Sequence, residues 1–208
     1  MRSSRTSLIR RTAVAVAAVT AALALAACGN DSGSGGSGHE GHGSSASASS
    51  TGDHNGQDVS FAQGMIPHHQ QALEMARLAA GRARSAQVKD LAARIEKAQD
   101  PEIRTMSGWL RTWGEEVPSA MPGMDHSADS GMTGMMDTKD MTALEKASGA
   151  EFDTMFLTMM IEHHKGAVEM AEAEKSKGSY GPATSLADDI VTAQTAEITE
   201  MNKLLGKS

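Results

Sequence analysis

The stretch that decides the fold reads Met65-Ile66-Pro67-His68-His69-Gln70-Gln71-Ala72-Leu73-Glu74-Met75-Ala76. It returns 95 residues later as Met160-Ile161-Glu162-His163-His164-Lys165-Gly166-Ala167-Val168-Glu169-Met170-Ala171. Each copy carries two adjacent histidines between two methionines. The same offset pairs flanking residues on both sides: Asp58 with Asp153, Phe61 with Phe156, Leu91 with Leu186, Ile95 with Ile190, Gln99 with Gln194, Glu102 with Glu197, Ile103 with Ile198 and Met106 with Met201. An offset kept over so long a segment indicates a duplicated half-domain.

The first copy has the periodicity of a helix from residue 58 to 81. At 100° per residue, Met65, both histidines and Met75 share one face with the apolar residues, whereas Glu74 falls on the opposite side. Pro67 has no backbone N–H to donate to the carbonyl of Gln63, so we expect a kink just before the histidines. The second copy has Glu162 at this position and needs no kink.

Helical periodicity also covers residues 85–113, with Val88, Leu91, Ile95 and Ala98 among its apolar positions and a bend expected at Pro101. A short helix is predicted at 141–147 and further long helices at 150–177 and 184–205. No segment alternates as a strand does. The sequence therefore predicts an all-α domain over residues 58–207, a four-helix bundle of two αα-hairpins: repeat one at 58–113, a linker at 114–138 and repeat two at 150–205.

The first 28 residues resemble a bacterial lipoprotein signal peptide with its lipobox. Four arginines precede an apolar run that ends at Ala26-Ala27-Cys28. Cys28 is the only cysteine, so an internal disulfide is excluded and the thiol is a candidate for lipid attachment. The alternative, a permanent membrane helix, needs about 20 apolar residues, more than this run offers. Residues 29–57 are rich in Gly and Ser, contain His39, His42 and His54, and predict a flexible tether.

The charge balance argues against nucleic acid as a partner. The whole chain has 19 basic and 26 acidic residues, and removal of the signal leaves 15 basic residues and a net charge of −11. Such a chain repels phosphate backbones. An acidic surface outside the cytoplasm suits the attraction of cations, although its usual meaning is solubility.

The two histidine pairs are the candidate metal ligands. If the halves pack about a pseudo-twofold axis, His68, His69, His163 and His164 can converge, with Met65, Met75, Met160 and Met170 one or two turns away. Imidazole with thioether favours copper(I) and silver(I) over magnesium, calcium or manganese. Methionine at helical spacing is more often core filler, which is our interpretation of Met106 and Met201.

The linker at 114–138 is rich in methionine and gives separate evidence. Its candidate ligands are Met121, Met124, His126, Met132, Met135 and Met136. Because an exposed loop has no core to fill, metal capture explains its thioethers better than packing does. The alternative is an adaptable contact surface for another protein.

The motif Phe-x-x-x-Met-Ile-x-His-His-x-x-Ala-x-Glu-Met-Ala, present twice and each time followed by Ala-Gln-x-x-Glu-Ile-x-x-Met, closely resembles bacterial domain-of-unknown-function family 305. The resemblance runs from about residue 58 to 205. It implies a ferritin-like helical bundle in an extracytoplasmic setting. Some members, the CopM-like proteins, are associated with copper binding and resistance, which implies a metal role for both histidine pairs and their flanking methionines.

Three functions remain open at this point. The first is a membrane-tethered copper buffer or chaperone, with the metal ion, the membrane and a metal-exchange protein as partners and no catalytic residues. The second is a di-iron oxidase, which we disfavour because Glu74 and Glu169 face away from the histidines and no helix carries Glu-x-x-His. The third is an interaction module that docks a partner through its methionine-rich loop, with the histidines as pH-sensitive core residues.

Overall fold

The structure, a computed structural model, describes residues 53–119 and 133–207. It contains five helices: α1 (Gly56–Arg82), α2 (Ala86–Trp113), α3 (Thr138–Lys146), α4 (Gly149–Lys177) and α5 (Gly181–Leu204). Within these ranges there is no β-strand, only one isolated bridge between Ala83 and Gly149. The predicted all-α bundle is therefore confirmed. The predicted signal peptide with Cys28, most of the predicted tether, and Met121, Met124, His126 and Met132 lie outside the described residues.

Two hairpins make up the bundle. Helix α1 packs against α2, α4 packs against α5, and contacts between α1 and α4 join the hairpins. Each hairpin needs only a three-residue turn, since α2 begins four residues after α1 ends and α5 four residues after α4 ends. Short turns of this kind make consecutive helices antiparallel neighbours.

The core forms two apolar clusters along the α1–α4 interface. The Phe152 cluster contains Met75 and Met160, together with Leu91, Ile95, Phe152 and Phe156. The Phe61 cluster contains Met65, and Met170 packs against it, together with Ile66, Leu110 and Ile190. The first methionine of each motif thus shares a cluster with the second methionine of the other copy. This pairing requires α1 and α4 to run antiparallel about a pseudo-twofold axis.

Two repeat-equivalent aspartates tie the halves together. Asp58, at the start of α1, accepts hydrogen bonds from the backbone N–H groups of Ser179 (3.1 Å) and Tyr180 (3.0 Å) in the α4–α5 turn. Asp153 in α4 accepts the corresponding bonds from Arg84 (3.0 Å) and Ser85 (2.9 Å) in the α1–α2 turn. Each carboxylate therefore satisfies orphan backbone donors at the start of a helix in the other hairpin. The two aspartates serve the fold and lie at its turns.

Some details differ from the sequence expectations. Helix α1 is continuous through Pro67, and the kink expected there stays a prediction. Ala98, expected in the core, is exposed. The buried position that follows Ile95 on the inner face of α2 is Gln99, four residues on, which leaves Ala98 on the outer face. Helix α3 begins at Thr138, three residues before the predicted start, because Asp137 caps it by accepting the N–H of Asp140 at 2.8 Å. No helix in the described part of the chain is both long and apolar enough to cross a bilayer.

Candidate metal centre

The four histidines form one layer in the middle of the bundle. His68 and His69 lie on α1 between the methionines of the two apolar clusters, and His163 and His164 occupy the same place on α4. All four side chains are at most 1% exposed. The apolar periodicity of both helices carries these polar rings into the interior, as the sequence predicted. Because the helices are antiparallel, the two pairs meet at the same level.

His68 and His163 face each other across the pseudo-twofold axis. Their ring centroids are 3.7 Å apart and the rings are tilted by 39°. His164 lies further out, with its ring centroid 6.4 Å from that of His163. The adjacent histidines of each pair therefore divide their roles: the first meets its repeat partner at the centre and the second turns outward.

The outward histidines each meet a glutamate from the second helix of their own hairpin. Nε2 of His69 lies 2.7 Å from Oε2 of Glu102 on α2, and Nε2 of His164 lies 2.7 Å from Oε2 of Glu197 on α5. A carboxylate can only accept this hydrogen bond, so each imidazole donates Nε2–H. In the tautomer that donates Nε2–H, the ring lone pair lies on Nδ1. Such a carboxylate fixes the orientation and tautomer of a histidine and raises its basicity as a ligand.

Six buried imidazole nitrogens have no hydrogen-bond partner among the described residues. They are Nδ1 and Nε2 of His68 and His163, and Nδ1 of His69 and His164. The side-chain oxygens of Gln99 and Gln194, also buried and repeat-equivalent, are unpartnered too. Leaving a buried polar atom unpaired costs about 1–3 kcal/mol. So many orphaned donors and acceptors in one layer indicate a site made for a ligand.

The layer keeps its central rings neutral. Burial, helped by the neighbouring His69 and His164, lowers the pKa of His68 to about 3, and the backbone carbonyl of Thr133 acts weakly in the opposite direction. Burial and the other three histidines likewise hold the pKa of His163 well below its usual value. Both imidazoles are therefore uncharged at neutral pH, the form in which histidine binds a metal ion.

The predicted methionines divide into three groups. Met65, Met75 and Met160 are fully buried, whereas Met170 is half-buried against the Phe61 cluster. Of the linker residues, Met135 and Met136 are half-buried, and Met136 packs against the Phe152 cluster. The thioethers of the two motifs thus lie in the apolar clusters on either side of the histidine layer.

The donor set fits a soft metal ion. Neutral imidazoles with free lone pairs lie between clusters that contain thioethers, and a site of this composition is closed to the hard, oxygen-preferring cations. Within residues 53–119 and 133–207, no three His, Cys, Asp or Glu side chains already form a group that could hold a metal ion. A metal ion would therefore require the histidine rings to turn towards it. Their role as ligands stays a prediction.

Sequence reasoning missed Glu102 and Glu197 as residues of the site. It considered the glutamates of the motif itself, and these are exposed, as predicted: Glu74 on α1 and Glu169 on α4. The signal was nevertheless present, because Glu102 and Glu197 are separated by the same 95 residues as the histidine pairs. A glutamate that recurs at the same offset as the histidine pairs, on the helix that follows each of them, is the pattern that indicates these two residues.

The family model for a domain of unknown function, DUF305, matches residues 58–205. The chain belongs to the DUF305 family. A DUF305 structure from Streptomyces coelicolor, from a protein described as predicted to be secreted, shares 34% sequence identity and a TM-score of 0.65. The match covers 72% of this chain and 92% of that one.

CopM is a second structural relative. Its copper(I)-bound form is 34% identical, with a TM-score of 0.58, over 71% of this chain and 94% of that one. Its copper(II)-bound form is 36% identical, with a TM-score of 0.60 and the same coverage. CopM has also been crystallised with silver. Among curated proteins, none matches this DUF305 chain significantly.

Proposed function

We propose that this DUF305 protein is an extracytoplasmic, membrane-anchored protein that binds copper(I) and silver(I), as a buffer or chaperone and without catalysis. The observation that carries the proposal is the layer of six buried, unpartnered imidazole nitrogens between two methionine-containing clusters. A binding protein needs such a ligand set and no nucleophile.

Ligand softness favours copper(I) and silver(I). Soft cations accept imidazole and thioether donors and need few ligands, so they suit a layer that contains no preformed shell of charged groups. A doubly charged cation in this interior would need several anionic ligands to offset its desolvation. Within the described residues, only the carboxylates of Glu102 and Glu197 form hydrogen bonds with the histidines, and each already holds a ring nitrogen.

The relatives support the same choice of metal. CopM, at 34–36% identity in its copper-bound forms, binds copper(I) and copper(II), and it also binds silver. The location rests on the sequence: a signal-like segment before Cys28, and an acidic chain beyond it that suits cations outside the cytoplasm. A metal-exchange protein would be the natural partner of a chaperone.

Copper(I) competition titrations test the proposal. The wild-type protein should compete with a copper(I) chelator, whereas the double variant His68→Ala/His163→Ala should bind at least about a hundredfold more weakly, because the two central ligands are gone. Silver(I) should raise the melting temperature of the wild type, since a ligand that binds only the folded state stabilises it.

His54→Ala provides a matched control, because His54 stacks on Trp113, away from the layer, with ring centroids 4.4 Å apart. It should bind copper(I) as the wild type does. A folded double variant with wild-type affinity would remove the histidine layer as the site. A wild type that takes up neither metal would refute the function.

The presence of Glu102 and Glu197 beside the histidines favours a second candidate function, that of a di-iron oxidase. The motif glutamates face away from the histidines, whereas Glu102 and Glu197 reach them from α2 and α5. Di-iron bundles, however, use about four carboxylates and two histidines. The layer in this protein has the reverse composition, with four histidines and two carboxylates. Metal analysis of protein from copper- and iron-supplemented cells separates the two, and bound iron with an oxygen-dependent absorption band would favour the oxidase.

A further inference from the structure

A short segment of the linker lies across the histidine layer. We call residues 133–136, which lead into α3, the strap. Gln71 of α1 holds it with both ends of its amide: Nε2 donates to the carbonyl of Met136 and Oε1 accepts the N–H of Met136, each at 2.8 Å. Two such bonds to the backbone of one residue fix both its position and its orientation.

On the other side, the strap lies against α4. A Cβ atom added to Gly166 would come within 1.9 Å of the carbonyl oxygen of Thr133 and 2.9 Å of the Cα of Gly134. Gly134 has φ +85°, and a Cβ there would come within 3.0 Å of the carbonyl oxygen of His163. Both positions therefore require glycine, one for space and the other also for its backbone conformation. The strap touches the helix at the turn that carries the second histidine pair.

The two anchor residues occupy the same position of the repeat. Gln71 follows His68 by three residues, and Gly166 follows His163 by three. Residues three apart share a helix face, so the strap bridges α1 and α4 within one turn of both central histidines. The two copies differ at this position in a complementary way. In the first copy the amide of Gln71 hydrogen-bonds the strap, and in the second copy Gly166 has no side chain and leaves space for it.

We propose that Gln71 and Gly166 are positioning residues that seat the strap over the histidine layer, and that the seated strap limits how fast copper(I) or silver(I) enters and leaves. The inference rests on the proposed function. Its basis is geometric: the strap reaches from Gln71 on α1 to Gly166 on α4, and these residues lie one turn from His68 and His163, which meet across the pseudo-twofold axis. A cation that reaches the layer from this side must displace the strap. The two hydrogen bonds to Gln71 oppose that displacement.

The test compares full-length variants that leave every candidate ligand in place. Gln71→Leu removes both hydrogen bonds, and Gly166→Ala pushes the strap away. The matched controls are Gln70→Leu, at a neighbouring half-buried position, and Gly108→Ala, at a helical glycine with nothing within 4 Å of an added Cβ. Transfer of bound copper(I) to a chromogenic chelator in a stopped-flow instrument gives the release rate. Hydrogen exchange at the Met136 amide reports whether the strap is seated.

In the wild type the Met136 amide should be protected, and in both strap variants the protection should be lost. Release should then be about tenfold faster or more, with unchanged stoichiometry, whereas both controls keep the wild-type rate. Gln71→Leu keeps the test valid if Gly166→Ala does not fold.

An effect on melting temperature alone, with release at the control rate, would overturn the inference and leave the proposed function intact. An unprotected Met136 amide in the wild type would overturn it as well. If the wild type binds neither copper(I) nor silver(I), the proposed function fails, and the inference fails with it.

Discussion

The contacts between the outward histidines and their glutamates show what single residues contribute to the site. Glu102 and Glu197 each accept a hydrogen bond at 2.7 Å and so leave Nδ1 of His69 and His164 as the free lone pair. Exchange of both glutamates for glutamine removes the negative charges that orient and polarise the rings. We expect the double variant Glu102→Gln/Glu197→Gln to bind copper(I) about 10- to 100-fold more weakly, with the same stoichiometry, in a competition titration.

The motif glutamates supply the control for this variant. Glu74→Gln/Glu169→Gln makes the same change of charge at repeat-equivalent positions, but both residues are exposed on the outer face. Its copper(I) affinity should equal that of the wild type. Equal losses in both double variants would mean that the overall negative charge matters and that orientation of the histidines does not.

Glu174 is a buried carboxyl group with a different role. Burial, followed by the neighbouring carboxylate of Asp58, raises its pKa to about 8. Burial also acts to raise the pKa of Asp58, but hydrogen bonds, mainly from the backbone of Asn55, outweigh it and lower that pKa. Asp58 is therefore the ionised member of the pair, and Glu174 keeps its proton at neutral pH.

This pair predicts how stability changes with pH. The folded state binds the proton of Glu174 more tightly than the unfolded state does, since its pKa rises from its ordinary value of 4.5 to about 8. The free energy of unfolding should therefore fall between about pH 4.5 and pH 8, by at most about 1.4 kcal/mol per pH unit from this group. The lowered pKa of Asp58 affects the free energy of unfolding only at pH values near and below its ordinary pKa of 3.8.

Urea unfolding of the wild type and of Glu174→Gln across this range isolates the effect of Glu174. The variant cannot ionise at this position, so its advantage over the wild type should grow as the pH rises. Glu172→Gln is a matched control, because Glu172 is exposed and forms an ion pair with Lys175 at the surface. Parallel pH profiles for the wild type and Glu174→Gln would contradict the assignment.

At the scale of helices, the sequence was sufficient because the decisive signals are local. Periodicity placed α1, α2, α4 and α5 within a few residues of their observed ends, and the shared face of His68 and Met65 correctly predicted buried histidines. These features depend only on residues within one or two turns of each other.

Contacts between helices could not be predicted in the same way. The bond between His69 and Glu102 depends on the register of α1 against α2, and the bonds between Gln71 and Met136 depend on where the chain re-enters the bundle. Gln71 lies within the motif, but the residues around it in the sequence do not indicate a contact with Met136. Only the repeat could have pointed to such residues, because a position that matters in one half recurs, or differs in a complementary way, in the other.

The whole molecule places a polar layer between two apolar clusters and repeats that arrangement about one pseudo-twofold axis. The clusters provide the stability of the fold, so the layer can keep unpartnered nitrogens at a cost that the bundle tolerates. The antiparallel arrangement of α1 and α4 is what brings His68 to His163. Neither hairpin alone contains both rings, and the candidate site exists only in the assembled pair.

Anchoring is the remaining property of the whole chain, and it rests on Cys28, which lies outside the described residues. Because Cys28 is the only cysteine, a thioether-linked lipid has one place to form. In cells fed a labelled fatty acid, the wild type should carry the label and partition into the detergent phase, whereas Cys28→Ser should carry none. Ser32→Ala, four residues on, should behave as the wild type. A labelled Cys28→Ser protein, or an unlabelled wild type, would contradict lipid attachment at Cys28. Neither result would affect the proposed copper(I) binding by the histidine layer, which depends on the bundle alone.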